Sequence, residues 1–340
     1  MIFNFDMGQF FLNYCAKTFV FFAGVTGQNQ YPSYCNPVFG HYIIVWQGFL
    51  FRITECCFPG QSFSSGDSHM TPDETKCFEI YRECVNAIHD GVLIRQVSSR
   101  DKEFHFQNWC QERLNNVGVH FEGTGRNIYP DFCLVERPEG YEIKALAYPG
   151  REKNYDPNSN VPCGYHNGRT IFYIFGRYPN DTTEYRNGHQ IEYPVIDLVL
   201  CHGDFLNAQR DYIHKNKHVN GFGTYGDIMI RDRKMYVVPT PFALTQGTAG
   251  LVTLIIPDDY EVPDDFQCVG ELSRTEDDQL VAGYSFNLRT NEICAEMIPN
   301  PNAGLIHHFR AYRCTGQSTR NVSMNTTAAL DDTTEEDDND

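Results

Sequence analysis

Residues 130–146 read PDFCLVERPEGYEIKAL. Two short runs rich in apolar residues, Asp131–Val135 and Tyr141–Leu146, flank the segment ERPEG, whose Pro and Gly mark a turn. The reading is a β-hairpin. Alternate side chains of a strand share a face, so Glu142 and Lys144 point the same way. Asp131 begins the first strand, and ten residues separate it from Glu142 in the chain. Two carboxylates and one ammonium group therefore converge at one edge of a sheet.

That trio has a definite chemistry. Adjacent carboxylates suit a hard cation such as Mg²⁺, which takes oxygen ligands and keeps several waters. Such a cation lowers the pKa of bound water and neutralises charge on a phosphate. A lysine beside it can hold or deprotonate the attacking water and favour the added negative charge of the transition state. This is equipment for hydrolysing a phosphodiester. Pro257-Asp258 and Pro263-Asp264 repeat the first half of the pattern, but no Glu-x-Lys follows them at hairpin distance.

Working outward, the segment 101–116 (DKEFHFQNWCQERLNN) places Phe106, Trp109, Cys110 and Arg113/Leu114 at three-to-four spacing, the pattern of a helix with one apolar face. Asn-Asn-Val-Gly ends it. A second helix is expected to open at Thr71-Pro72-Asp73-Glu74, with a threonine cap, proline in the first turn and acids at the N-terminus, and to run to Asp90. A strand is read at 118–122, followed by the Gly-rich turn GTGRN that contains Arg126. Further strands are read at 170–178 and 193–203, the latter apolar enough to be central and buried. The segment 227–238 adds one or two more. Helix and strand order predicts an α/β fold: a mixed central β-sheet flanked by helices.

The constellation resembles the PD-(D/E)xK nuclease superfamily, type II restriction endonucleases in particular. The match covers the helix 101–116, the hairpin 128–146 and the strands to about residue 203. The resemblance implies a restriction-endonuclease-like fold. It also implies Asp131 and Glu142 as metal ligands, Lys144 as the catalytic lysine, and an acidic residue from the preceding helix, here Glu103. Mg²⁺ is the implied cofactor, with Mn²⁺ able to substitute. The implied activity is hydrolysis of double-stranded DNA at a specific site, leaving 5′-phosphates, commonly by a homodimer. Two alternatives stay open: a structure-specific repair or recombination nuclease of the same superfamily, and a non-catalytic DNA-binding protein with a nuclease-like core.

DNA contacts are expected from the loop after the catalytic strand, 148–169, which is rich in groups that bind phosphates and base edges. The candidates are Arg151, Lys153, Asn154, Asn158, Asn160, His166 and Arg169, with Arg126 in the preceding turn. A second basic stretch with interleaved aromatics, 209–234, offers Lys215 and Lys217. Its glycines 221, 223 and 226 form no phosphate-cradling P-loop, because no Gly-Lys-Ser/Thr follows. Cys201-His202-Gly203-Asp204 has metal-ligand residue types but reads better as a strand end.

The 340-residue chain carries a formal charge of −17, which argues against a nucleic-acid partner until it is located. Residues 1–94 hold net −4, residues 95–240 net zero and residues 241–340 net −13. The middle segment holds 18 of the 27 Lys and Arg residues. The acidity belongs mainly to the C-terminal third, and residues 326–340 read as a disordered acidic tail. At 41% hydrophobic residues the chain can bury a core. The expected organisation is an unassigned segment 1–70, holding short strands and loops, then a nuclease domain over 71–325. Residues 60–74 have linker composition.

Thirteen cysteines without any Cys-x-x-Cys pair point to free, buried thiols in a reducing compartment, hence an intracellular protein, cytoplasmic or nuclear. The apolar start of the chain contains Asp6, Asn13 and Lys17, which fits neither a signal peptide nor the ~20 apolar residues of a membrane span. It is expected to be a buried N-terminal segment.

Overall fold

The computed structural model describes residues 42–46, 49–53, 75–96, 103–123, 129–150, 153–157, 161–188, 190–208, 221–230 and 236–326. The chain divides into two units, Met1–Gly66 and Asp67–Asp340. In the first, the described residues form an antiparallel hairpin of Tyr42–Trp46 with Phe49–Ile53, in keeping with the short strands expected there. The expected linker, buried N-terminal segment and acidic tail lie largely or wholly outside the described residues.

The second unit is mixed α/β. Helix α1 spans Cys77–His89 and α2 spans Glu103–Val117. The main sheet contains β1 (Phe121–Gly123), β2 (Phe132–Leu134), β3 (Glu139–Tyr148), β4 (Tyr165–His166), β5 (Arg169–Pro179), β6 (Asp197–His202), β7 (Val252–Pro257), β8 (Phe266–Thr275) and β9 (Ile306–Cys314). Its nine strands run in the order β8-β9-β7-β6-β5-β3-β2-β1, with β4 folded back onto β5. The pairs β3–β5 and β6–β7 are parallel and the others antiparallel, so the sheet is mixed as the sequence implied. All six residues of β6 are buried, as befits its central place.

Strand alternation sorts the core into two layers. Ile143, Phe172, Ile174, Leu198, Leu200, Leu254 and Ile256 face α1 and α2. Ile171, Tyr173, Phe175, Val199, Cys201 and Ile255 face the other way. The amphipathic reading of α2 holds, since Phe106, Trp109, Cys110, Arg113 and Leu114 are all buried. The Tyr81 hydroxyl donates to the Val252 carbonyl at 2.8 Å and ties α1 to β7.

The contact of α2 with the sheet depends on a glycine. A Cβ on Gly176 would lie 2.1 Å from the Phe106 ring. Gly176→Ala should therefore force the helix outward and cost on the order of 3 kcal/mol, the overpacking range. Urea unfolding midpoints measure it. A variant as stable as wild type would show that the helix does not rest on this strand.

Several expectations need correction. Among the described residues the two long helices pack on the same face of the sheet. The second layer is closed by loops, short strands and the four-residue helix Pro241–Leu244. Helix α1 starts at Cys77, and its N-cap is Lys76 rather than Thr71. The reason is a partner distant in sequence. Both carboxylate oxygens of Glu139 accept the Lys76 N–H at 3.1 Å, and the Thr75 hydroxyl accepts the Cys77 N–H at 3.1 Å. The strand read at 193–203 splits at Pro194. Gln190–Tyr193 joins a small separate sheet, and β6 begins at Asp197. The strand read at 118–122 is confined to Phe121–Gly123. In 227–238 the described residues give an isolated bridge, Met229 with Val237, and the start of the short strand Val238–Pro239.

Glu139 also supplies a pH-dependent element. It is 3% exposed, and burial raises its pKa above the usual 4.5, against the Tyr141 hydroxyl and Lys76 N–H that favour the anion. A carboxyl with a raised folded pKa binds more protons folded than unfolded, so stability falls as pH climbs from about 4.5 through the raised value. Glu139→Gln should flatten that part of the stability–pH curve. Melting temperatures across this window check it; an unchanged slope sinks the assignment.

Candidate active site

The hairpin β2–β3 pairs Phe132 with Tyr141 and Cys133 with Gly140, and this register brings Asp131 alongside Glu142. Gly140 is required here, since a Cβ would lie 2.5 Å from Cγ of Pro130. Pro130 thus packs on the neighbouring strand and fixes where Asp131 begins. On β3, Ile143 points into the helix layer while Glu142 and Lys144 point to the opposite face, beside Tyr173 and Phe175 of β5.

The three side chains meet as the sequence implied. Asp131 Oδ2 accepts the Ile143 N–H at 2.8 Å, and Glu142 Oε2 accepts the Asp131 N–H at 3.2 Å. Lys144 Nζ donates to Glu142 Oε1 at 2.6 Å, with their side chains 14% and 12% exposed. Each carboxylate is thus anchored by a backbone N–H of the other strand. Charge-assisted bonds of this kind hold geometry tightly.

Helix α2 also reaches the site. Gln107 Nε2 lies 3.5 Å from Asp131 Oδ1. Glu103 is the first residue of the helix, and its side chain lies outside the described residues. Gln107 stands four residues further on, on the same helical face. Its neutral amide carried no signal in the sequence.

Tyrosines line the same face, Tyr155 and Tyr173 buried and Tyr129 half-buried. The Tyr129 and Tyr173 hydroxyls are hydrogen-bonded at 2.7 Å, and the Tyr155 ring packs edge-on against Phe175 at 5.1 Å. Burial raises the pKa of all three, with the charge of Glu142 among the smaller causes. The loop after β3 returns to the site through His166, whose ring packs edge-on against Tyr129 at 4.9 Å. Burial lowers the His166 pKa. Cys163 is buried nearby, and burial lifts its thiol to about 12, so it remains a neutral thiol. Among the described residues all nine cysteines are free.

The residues expected to contact DNA have varied placements. Lys153 is exposed and Asn154 half-buried, just beyond β3. The Arg169 guanidinium is used inside the protein: Nη1 donates to the carbonyls of Leu134, Arg137 and Glu139 at 2.7, 3.1 and 3.3 Å. It braces the hairpin turn. Arg126, Arg151, Asn158, Asn160, Lys215 and Lys217 lie outside the described residues. Cys201-His202-Gly203-Asp204 is a strand end, as read. His202 Nδ1 accepts the Asp204 N–H at 3.2 Å, and Asp204 Oδ1 accepts the Gly164 N–H at 2.9 Å.

Among the described residues no group of three or more His, Cys, Asp and Glu side chains is arranged to hold a metal ion. The donor set at the hairpin is two carboxylates, Asp131 and Glu142, with an amide from Gln107. That chemistry fits Mg²⁺, which is commonly held by one or two carboxylates and otherwise by water and substrate phosphate. No helix of the described residues is long and apolar enough to cross a membrane. Compared with protein-family models, curated proteins and solved structures, the chain matches none.

Proposed function

We propose that this protein is a Mg²⁺-dependent DNA endonuclease of the restriction-endonuclease-like type, acting on double-stranded DNA as a homodimer inside the cell. One observation carries the reading. Asp131 and Glu142 are held side by side, Asp131 by the Ile143 N–H and Glu142 by the Asp131 N–H, with the Lys144 ammonium 2.6 Å from Glu142. Asp131 and Glu142 would hold the cation, Mg²⁺ or Mn²⁺, which when bound acidifies water and offsets phosphate charge. Lys144 stands on the same strand face, where its ammonium orients the attacking water and meets the negative charge that develops on the phosphate. Gln107 keeps Asp131 in place. Lys153, Asn154 and His166 lie on the loop beside this site and are the described groups suited to DNA contact.

The test is a digest of supercoiled plasmid and of a complex genome by the purified chain, with Mg²⁺, with Mn²⁺ and with chelator. Cleavage that needs the cation, giving discrete genomic fragments with 5′-phosphates, is the expected result. A metal-dependent smear points to the structure-specific branch. A protein that binds DNA but never nicks plasmid with either metal overturns the enzymatic reading.

A further inference from the structure

The tyrosines on the Glu142 face leave a hydrogen-bonding deficit. The Tyr155 hydroxyl is buried with no hydrogen-bond partner among the described residues. Tyr129 and Tyr173 share one hydrogen bond between their hydroxyls. Two hydroxyls carry two protons, and one such bond uses only one. Tyr155 adds a further unplaced proton. A buried hydroxyl without a partner is costly, and an ordered water is one way to satisfy it.

The placement says what such a water would touch. Tyr173 is the register partner of Glu142, and Phe175, against which Tyr155 packs, is the register partner of Lys144. Tyr155 is positioned by the short pairing of Asn154–Tyr155 with Val238–Pro239, close enough to Glu142 for the carboxylate charge to bear on its hydroxyl. Each Glu142 oxygen accepts one bond in the protein, from Lys144 or from the Asp131 N–H, and a carboxylate oxygen has room for two. A water here would accept from the tyrosine hydroxyls and donate to Glu142, which gives it the two to four polar partners a buried water needs.

The geometry points to one ordered water held by Tyr155, with Tyr129 and Tyr173, against the Glu142 carboxylate, making Tyr155 a positioning residue of the cation site. The inference rests on the proposed role of Glu142 as a metal ligand. It adds that the site's affinity for the cation is set partly from the second layer of the core, by a tyrosine outside the motif.

The test uses the full-length protein and Mn²⁺ binding followed by paramagnetic resonance or calorimetry. Tyr155→Phe removes one oxygen and keeps the packing against Phe175. It should weaken Mn²⁺ about tenfold, the usual effect of losing an outer-shell partner. The melting temperature should hold or rise, and cleavage should recover at high Mn²⁺. A purely structural tyrosine would move stability and leave the Mn²⁺ affinity alone. Unchanged affinity in Tyr155→Phe, where Asp131→Asn abolishes binding and wild type cuts DNA, overturns this inference and spares the nuclease. Wild type that binds no Mn²⁺ removes the cation site and the inference together. Should Tyr155→Phe not fold, a crystal structure of wild type decides: no ordered water between Tyr155 Oη and Glu142 overturns the proposal.

Discussion

Replacing Lys144 by alanine should abolish metal-dependent cleavage, by at least a hundredfold, while DNA binding is largely kept. Lys144 projects from β3 into the same layer as Glu142, with its ammonium 2.6 Å from Oε1. On the proposed mechanism, removing it deletes the positive charge that would face the attacking water and the developing phosphate charge, effects each worth about a hundredfold or more. The fold should survive, because the backbone N–H bonds that anchor Asp131 and Glu142 remain. Single-turnover cleavage and a parallel binding titration separate the two quantities. Equal cleavage by the variant would sink the assignment of the motif, whatever the binding showed.

The largest effect on stability should come from Asp197. It begins β6 fully buried and forms a two-pronged pair with Arg177 of β5, Nε to Oδ1 at 2.7 Å and Nη2 to Oδ2. The Gly250 N–H donates to Oδ2 at 2.7 Å. The guanidinium is stacked between Tyr148 and Phe242, 4.2 and 4.5 Å from their ring centres. Asp197→Asn would leave a buried arginine without its counter-charge, at a cost of about 3–5 kcal/mol. That is a large part of the 5–15 kcal/mol that holds a typical domain together. Converting both partners, Asp197→Leu with Arg177→Met, should cost less than the single change, because no charge is then stranded. Denaturant unfolding of the single and double variants measures this. A double variant weaker than the single would mean the pair stabilises more than its desolvation costs.

Some of this was legible in the sequence for physical reasons. The hairpin at 130–146 alternates with period two around a Pro-Gly turn, and local sterics force that reading into one register. Helix α2 shows its face because Phe106, Trp109, Cys110 and Leu114 repeat at helical spacing. Both signals are carried by neighbours in the chain. The start of α1 was misread for the converse reason: the group that takes its N-terminal N–H is Glu139, 63 residues away. Arg169 looked like a DNA ligand by residue type, and only the fold places it under the carbonyls of the hairpin turn. Gln107 and Tyr155 carry no charge signal and sit in no motif.

The net charge of −17 illustrates the same division. Summed, it opposes DNA binding; resolved along the chain, it leaves the catalytic segment neutral and rich in basic residues. By itself the sequence determined the mixed α/β class, the hairpin, and the trio Asp131, Glu142 and Lys144, because spacing along a strand dictates which side chains share a face. Tertiary structure alone decided that, among the described residues, both long helices pack on one face of the sheet. It also decided which helix residue reaches Asp131 and which tyrosines stand over Glu142. Those choices depend on the pairing of strands far apart in the chain, and on the need of each buried polar group for a partner that local sequence cannot name.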